Sequence, residues 1–176
     1  MKKAYLYALY AVIVLALDQI SKWIIVKEIP IGEERPVIGD FFMITSHRNR
    51  GAAFGILQNQ RWFFIVITIL IVAGIIWYMS RTIREGKALL SFALSLLLGG
   101  AIGNFVNRAL FGEVVDFLQF TFDFTLFGKA IYYVYPIFNI ADSAIVVGVI
   151  LIFIDSILAA RKEKKGATNE HKPDLT

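Results

Sequence analysis

Four stretches of this chain are too long and too apolar to be ordinary core helices. They run from about residue 4 to 26, 62 to 79, 88 to 106 and 137 to 160, and the second and third carry no charge. An α-helix of 18–24 residues rises roughly 27–36 Å, enough to cross about 30 Å of hydrocarbon. The rest of the composition agrees. Of 176 residues, 57% are apolar before glycine is counted, against roughly 45–50% with glycine included in soluble domains. A soluble domain of this length has too little interior to hide such a surface. With 14% aromatic residues and a net charge of only +4, the chain is not disordered by composition either. It has no cysteine, which excludes disulfides, thiolate metal sites, Cys nucleophiles and a palmitoyl or thioether anchor on this chain.

The first stretch begins like a signal peptide, with Lys2-Lys3 ahead of an apolar run. No Ala-x-Ala site follows, and Asp18-Gln19-Ile20-Ser21-Lys22 leads straight back into Trp23-Ile24-Ile25-Val26, so it reads as an uncleaved span. With the N-terminus inside, segments 1–3, 81–87 and 161–176 hold 10 basic residues in 26 positions. Loops 27–61 and 107–136 hold 7 in 65. That asymmetry places both termini in the cytoplasm. The tail Arg161-Lys162-Glu163-Lys164-Lys165 then reads as a topology determinant near anionic lipid rather than a nucleic-acid site, and residues 166–176 as a disordered end. The outer loops contain strand-like runs at 37–45 and 113–124. The expected fold is a membrane all-α protein: four transmembrane helices under a small extracytoplasmic β-rich cap, one domain over 1–165.

Polar groups at membrane depth are costly and therefore informative. At 1.5 Å per residue, Asp18 lies about 21 Å up the first span and Asn104 about 24 Å up the third, with Arg108 just beyond. Asn139 and Asp142 lie within about 8 Å of the outer surface, and Asp116 follows shortly after the third span emerges. Polar residues from four segments thus share one level. Each also has a plainer reading: Asp18 and Lys22 as a helix-face ion pair, Asn104 as an interhelical hydrogen bond, Arg108 as a snorkelling cation, Asp116 as a solvated loop acid. Asp155 reads as a boundary residue. His47 and His171 are isolated, so a metal site has little support, and Gly99-Gly100-Ala101-Ile102-Gly103 favours close helix packing over phosphate binding. Two carboxylates at one level, Asp116 and Asp142, suit acid–base hydrolysis of an amide, because proximity drives their proton affinities apart. From the residues alone an intramembrane aspartyl hydrolase and a proton-coupled carrier stand level; a non-enzymatic scaffold would not need the cluster.

Four motifs in order, spread over nearly the whole chain, resemble bacterial lipoprotein signal peptidase (signal peptidase II). They are Asp18-Gln19-Ile20-Ser21-Lys22; Asn49-Arg50-Gly51-Ala52-Ala53-Phe54-Gly55; Gly103-Asn104-Phe105-Val106-Asn107-Arg108 running on to Gly112-Glu113-Val114-Val115-Asp116-Phe117; and Phe138-Asn139-Ile140-Ala141-Asp142-Ser143. The resemblance implies an aspartyl endopeptidase of the bacterial cytoplasmic membrane, with its site at the extracytoplasmic face. Its substrate would be a prolipoprotein already carrying diacylglycerol on the lipobox cysteine, cut just before that cysteine. It implies Asp116 and Asp142 as the catalytic dyad, and Asp18, Lys22, Asn49, Gly51, Asn104, Arg108 and Asn139 as supporting or substrate-positioning residues. No cofactor or metal is implied; membrane lipid and the cyclic peptide inhibitor globomycin are implied partners, nucleic acid is not. One departure stands out: the family usually has Asp where this chain has Asn107, which leaves the role of that position open.

Overall fold

The computed structural model describes residues 2–51 and 56–170. Its frame is four long helices, α1 (Lys2–Glu28), α2 (Arg61–Arg84), α3 (Ala88–Phe111) and α4 (Ile140–Glu170). All four are long and apolar enough to cross a membrane. α3 is the central post, packed against α1, α2 and α4, and 56% of its span is buried, against 11% for α2 and 6% for α4. The outward faces of the outer helices are studded with large apolar side chains, among them Trp62, Leu70, Trp77 and Phe153, each more than 60% exposed. In water such a surface would aggregate; against lipid tails it is the expected exterior.

Glycines let α3 sit this close to its neighbours. A Cβ at Gly100 would lie 2.5 Å from the Ala141 carbonyl oxygen, and one at Gly103 2.6 Å from Asp18 Oδ2. α3 ends at Gly112, which is left-handed (φ +76°) and returns its N–H to the Arg108 carbonyl. That stop is the usual glycine helix ending, and it turns the chain directly into the sheet.

The sheet is antiparallel in the order β1 (Glu34–Ile38), β2 (Phe42–Asn49), β3 (Val114–Leu126), β4 (Lys129–Val134). Val115 and Phe117 of β3 pack on Ile25 and Ile29 at the end of α1, so the sheet is fixed across one end of the bundle. A second apolar cluster, built on Tyr7, Ala11, Ile75, Met79, Leu90, Leu94 and Leu98, closes the other end.

The four helices and the small sheet agree with the expected architecture, with four corrections to its details. The run 37–45 is not one strand: it bends at Gly39 (φ +48°) and becomes the turn of the β1–β2 hairpin. A fourth strand, β4, was not expected. α3 continues past 106, so Asn107 and Arg108 lie inside the helix rather than beyond it. α4 starts at Ile140, because Phe138 is paired as a bridge with Leu118, and it runs on to Glu170. Residues 166–170, expected to be disordered, are therefore helical; the straight-chain residues that precede them favour helix and no proline intervenes before 173. Residues 171–176 lie outside the described residues.

Candidate active site

Asp142 is positioned by the local logic of a helix start. Asn139 is the residue before α4, and the sequence Asn-x-x-Asp forms a reciprocal capping box. The Asp142 N–H donates to Asn139 Oδ1 (3.0 Å), and the Asn139 N–H donates to Asp142 Oδ2 (3.2 Å). The intervening Ala141 N–H donates to Asp18 Oδ1 at 3.0 Å, which ties the first turn of α4 to α1.

Asp116 arrives from β3 and is 2% exposed. Its two oxygens are both met by amide donors: Asn139 Nδ2 reaches Oδ1 (2.7 Å) and Asn49 Nδ2 reaches Oδ2 (2.9 Å). Asn139 therefore touches both carboxylates, through its side chain to Asp116 and its backbone N–H to Asp142. Burial, and then the neighbouring charge of Asp142, pushes the Asp116 carboxyl up to about 6, as expected for two acids sharing a dry site.

Behind the pair runs a buried chain of polar contacts. Lys22, 2% exposed, donates to Asp18 Oδ2 and to Asn104 Oδ1, both at 2.9 Å. An ammonium can only donate, so it holds the Asn104 oxygen toward itself and leaves Asn104 Nδ2 to donate to Asp142 Oδ1 at 2.7 Å. On the other side, Asn49 Oδ1 accepts the Gly51 N–H (2.9 Å), and the Arg108 guanidinium donates to the Gly51 carbonyl (2.9 Å) while lying over the Phe64 ring at 4.7 Å. All nine residues singled out from sequence, Asp18, Lys22, Asn49, Gly51, Asn104, Arg108, Asp116, Asn139 and Asp142, thus join one connected network. The Asp18–Lys22 ion pair is real as well, but it is fully buried and part of this network. Ala52, Ala53, Phe54 and Gly55 lie outside the described residues.

Other participants were not singled out. Gln19 Nε2 bonds Asp18 Oδ2 (2.8 Å), the Gly103 carbonyl (3.1 Å) and Asn107 Oδ1 (3.1 Å). Asn107 therefore faces Gln19 on α1, which an amide oxygen serves without any charge. His47 stands directly opposite Asp116 in the β2–β3 pairing.

The two carboxylates open onto a cavity of about 980 Å³. One wall is the sheet, with His47, Phe120 and Phe122; the other is α4, with Ile145, Val146 and Val147; Arg108 and Asn104 stand beside the acids. Phe120 and Phe138 stack there at 5.8 Å. Among the described residues no three His, Cys, Asp or Glu side chains group as metal ligands. All four oxygens of the dyad face N–H donors, which would repel a cation. The arrangement suits a pair of acids that hold water and an amide between them in an apolar slot.

Comparison with known proteins bears on which chemistry this is. Residues 10–158 match the family described as signal peptidase (SPase) II. Proteins named lipoprotein signal peptidase are similar throughout: one from Bacillus pumilus (strain SAFR-032) is 52% identical, over 92% of this chain and 99% of its own length, and one from Bacillus subtilis (strain 168) is 48% identical, over 91% and 98%. Two solved bacterial membrane enzyme structures superpose with TM-scores of 0.72 and 0.69 at 42% and 45% identity, covering 97% and 84% of this chain and 93% and 90% of theirs. The choice left open between hydrolase and carrier falls to the hydrolase: this chain belongs to the signal peptidase II family and is a membrane peptidase of the aspartic type.

Proposed function

We propose that this protein removes the signal peptide from diacylglyceryl-modified prolipoproteins, cutting just before the lipidated cysteine, and that Asp116 and Asp142 carry the reaction. The observation that bears most weight is a pair of carboxylates, Asp116 buried and Asp142 half-buried, joined through Asn139 and opening onto one cavity. One carboxylate takes a proton from water as the oxygen adds to the scissile carbonyl carbon. The other, protonated, gives its proton to the carbonyl oxygen. Collapse of the diol intermediate breaks the C–N bond, the cysteine nitrogen takes up a proton and leaves as an amine, and the signal peptide leaves as a carboxylic acid. The proton taken from water in the first step goes to the cysteine nitrogen, and a diol hydroxyl returns its proton to the other carboxylate, so the collapse restores the singly protonated pair.

The remaining residues hold this geometry. Asn139 and Asn104 orient Asp142, Asn49 and Asn139 orient Asp116, and the Asp18–Lys22 pair fixes Asn104. Arg108 borders the cavity where a peptide backbone would lie, and its bond to the Gly51 carbonyl holds the guanidinium there. The diacylglyceryl chains lie in the outer leaflet along the apolar wall of α4, with the signal helix beside them. In this reading the protein sits in the bacterial cytoplasmic membrane, both termini are cytoplasmic, and the sheet limits bulk water at the outer face. Globomycin would compete by occupying the dyad.

The test is direct. Purified protein in lipid is incubated with a lipidated lipobox precursor, with and without globomycin. Cleavage just before the lipidated cysteine, blocked by globomycin, is the expected result. Cleavage elsewhere, or equal cleavage of a precursor lacking the lipid, would overturn the substrate assignment.

A further inference from the structure

The far half of the β3–β4 hairpin has no part in the network above, yet it is built in an unusual way. Leu126 pairs with Lys129, so Phe127 and Gly128 form a two-residue turn. Both have positive φ, +50° and +76°, which is the type I′ turn that suits hairpin twist and favours Asn-Gly or Asp-Gly. A bulky phenylalanine in the left-handed region is a true outlier. Packing within the protein does not explain it, because Phe127 is 97% exposed.

The two faces of the hairpin differ. By the register, Phe122 lies opposite Tyr133, Phe124 opposite Ile131, and Leu126 opposite Lys129; these share the face that carries Asp116. The other face carries Asp123, Thr125 and Tyr132. One face is thus apolar and aromatic with a single cation at its end, and the other is mixed, with the acid Asp123, Thr125, Ala130 and an exposed Tyr132. Phe122 and Tyr133 line the active-site cavity, while Phe124 and Leu126 beyond them are each more than 45% exposed, and Lys129 makes no ion pair among the described residues.

The position of the sheet selects the occupant. Only two residues separate α3 from β3, which packs on the end of α1, so it crosses the bundle end at the level where hydrocarbon gives way to headgroups. The lipid-facing belt of the helices stops at that same level in Trp62, Leu110 and Phe111, each more than 65% exposed. An aromatic face with a terminal lysine matches that zone, where rings sit among headgroups and a cation meets phosphate.

We propose that the distal β3–β4 hairpin is an interfacial lipid-binding finger, with its apolar face on the outer leaflet and Phe127 inserted as the tip anchor. The finger extends the sheet face that carries Asp116 by roughly 20 Å of strand. The absence of cysteine makes the test clean. Phe127→Cys, Leu126→Cys and, on the polar face, Thr125→Cys are each labelled with an NBD dye. Each is placed, one copy per disc, in phospholipid nanodiscs with or without doxyl-labelled lipid. The dyes at 127 and 126 should be quenched at least twofold more than the dye at 125. Equal quenching at all three positions would overturn the proposal. So would a dye at 127 that is shielded from water but not quenched by the lipid, because a second protein surface would then be the occupant.

Discussion

Replacing Lys22 by methionine tests the whole buried network through one residue. The ammonium is 2% exposed and makes two 2.9 Å bonds, to Asp18 and to Asn104. Methionine keeps most of the volume and removes the charge. Asp18, 0% exposed, is then a buried carboxylate whose remaining donors are the neutral N–H groups of Gln19 and Ala141. Breaking a buried pair from one side costs about 3–5 kcal/mol, more than a hundredfold in the folding equilibrium. Asn104 Oδ1 keeps only its 3.2 Å bond from Asn139, so the donor on Asp142 loosens, and a small displacement at a reacting group costs about 10–100-fold in turnover. Unfolding titrated with SDS in mixed micelles measures the first effect, and cleavage of a lipidated precursor at saturating substrate measures the second. The double variant Lys22→Met with Asp18→Asn separates them, since it removes the orphaned charge: it should regain most of the lost stability without regaining turnover. A Lys22→Met protein within about 0.5 kcal/mol of wild type and with full turnover would refute the account of the site as one mechanically linked network.

Other outcomes follow from the same geometry. Asp116→Asn and Asp142→Asn should each abolish cleavage while leaving an inserted protein that unfolds cooperatively; turnover by either one would remove that residue from the dyad. Because the Asp116 carboxyl is raised from 3.8 to about 6, its neutral form is favoured in the folded protein. The associated stability is present below about pH 3.8 and is lost as pH rises through about 6, by about 3 kcal/mol at most. The unfolding midpoint should fall across that window more steeply in wild type than in Asp116→Asn. The pH profile of kcat/KM should show an inflection near the same value. Gly103→Ala puts a methyl group 2.6 Å from Asp18 Oδ2 and should cost about 1–3 kcal/mol, whereas Gly74→Ala, with open space around it, should be neutral or stabilising by SDS titration. EDTA should leave cleavage unchanged; strong inhibition would argue for a metal.

The spans were legible because hydropathy over about 20 residues has no competing explanation, and the level of the polar residues followed from helix rise alone. The failures came where a local signal was masked. Gly39-Asp40 is a turn signal, but the β-branched and aromatic residues around it made 37–45 look like a single strand. The Asn139-x-x-Asp142 cap is written in the sequence just ahead of an apolar run, yet Ile137 and Phe138 are apolar too and blur the helix start by three residues. The partnership of Gln19 with Asn107 depends on how α1 and α3 are rotated against each other, which no one-dimensional spacing encodes. The hairpin turn at Phe127-Gly128 was hidden for the opposite reason: phenylalanine is the wrong residue for it.

The capping box at the head of α4 has a consequence for dynamics. Asp142 is at once the residue that secures the first helical turn and an acid of the dyad, so fraying of that turn and loss of the reactive geometry are one event. The protein cannot idle with a loose helix end and a competent site. Amide exchange at Asp142 should therefore report the fraction of molecules able to react, and a ligand that seats against the dyad should slow that exchange before it alters any other amide of the helix.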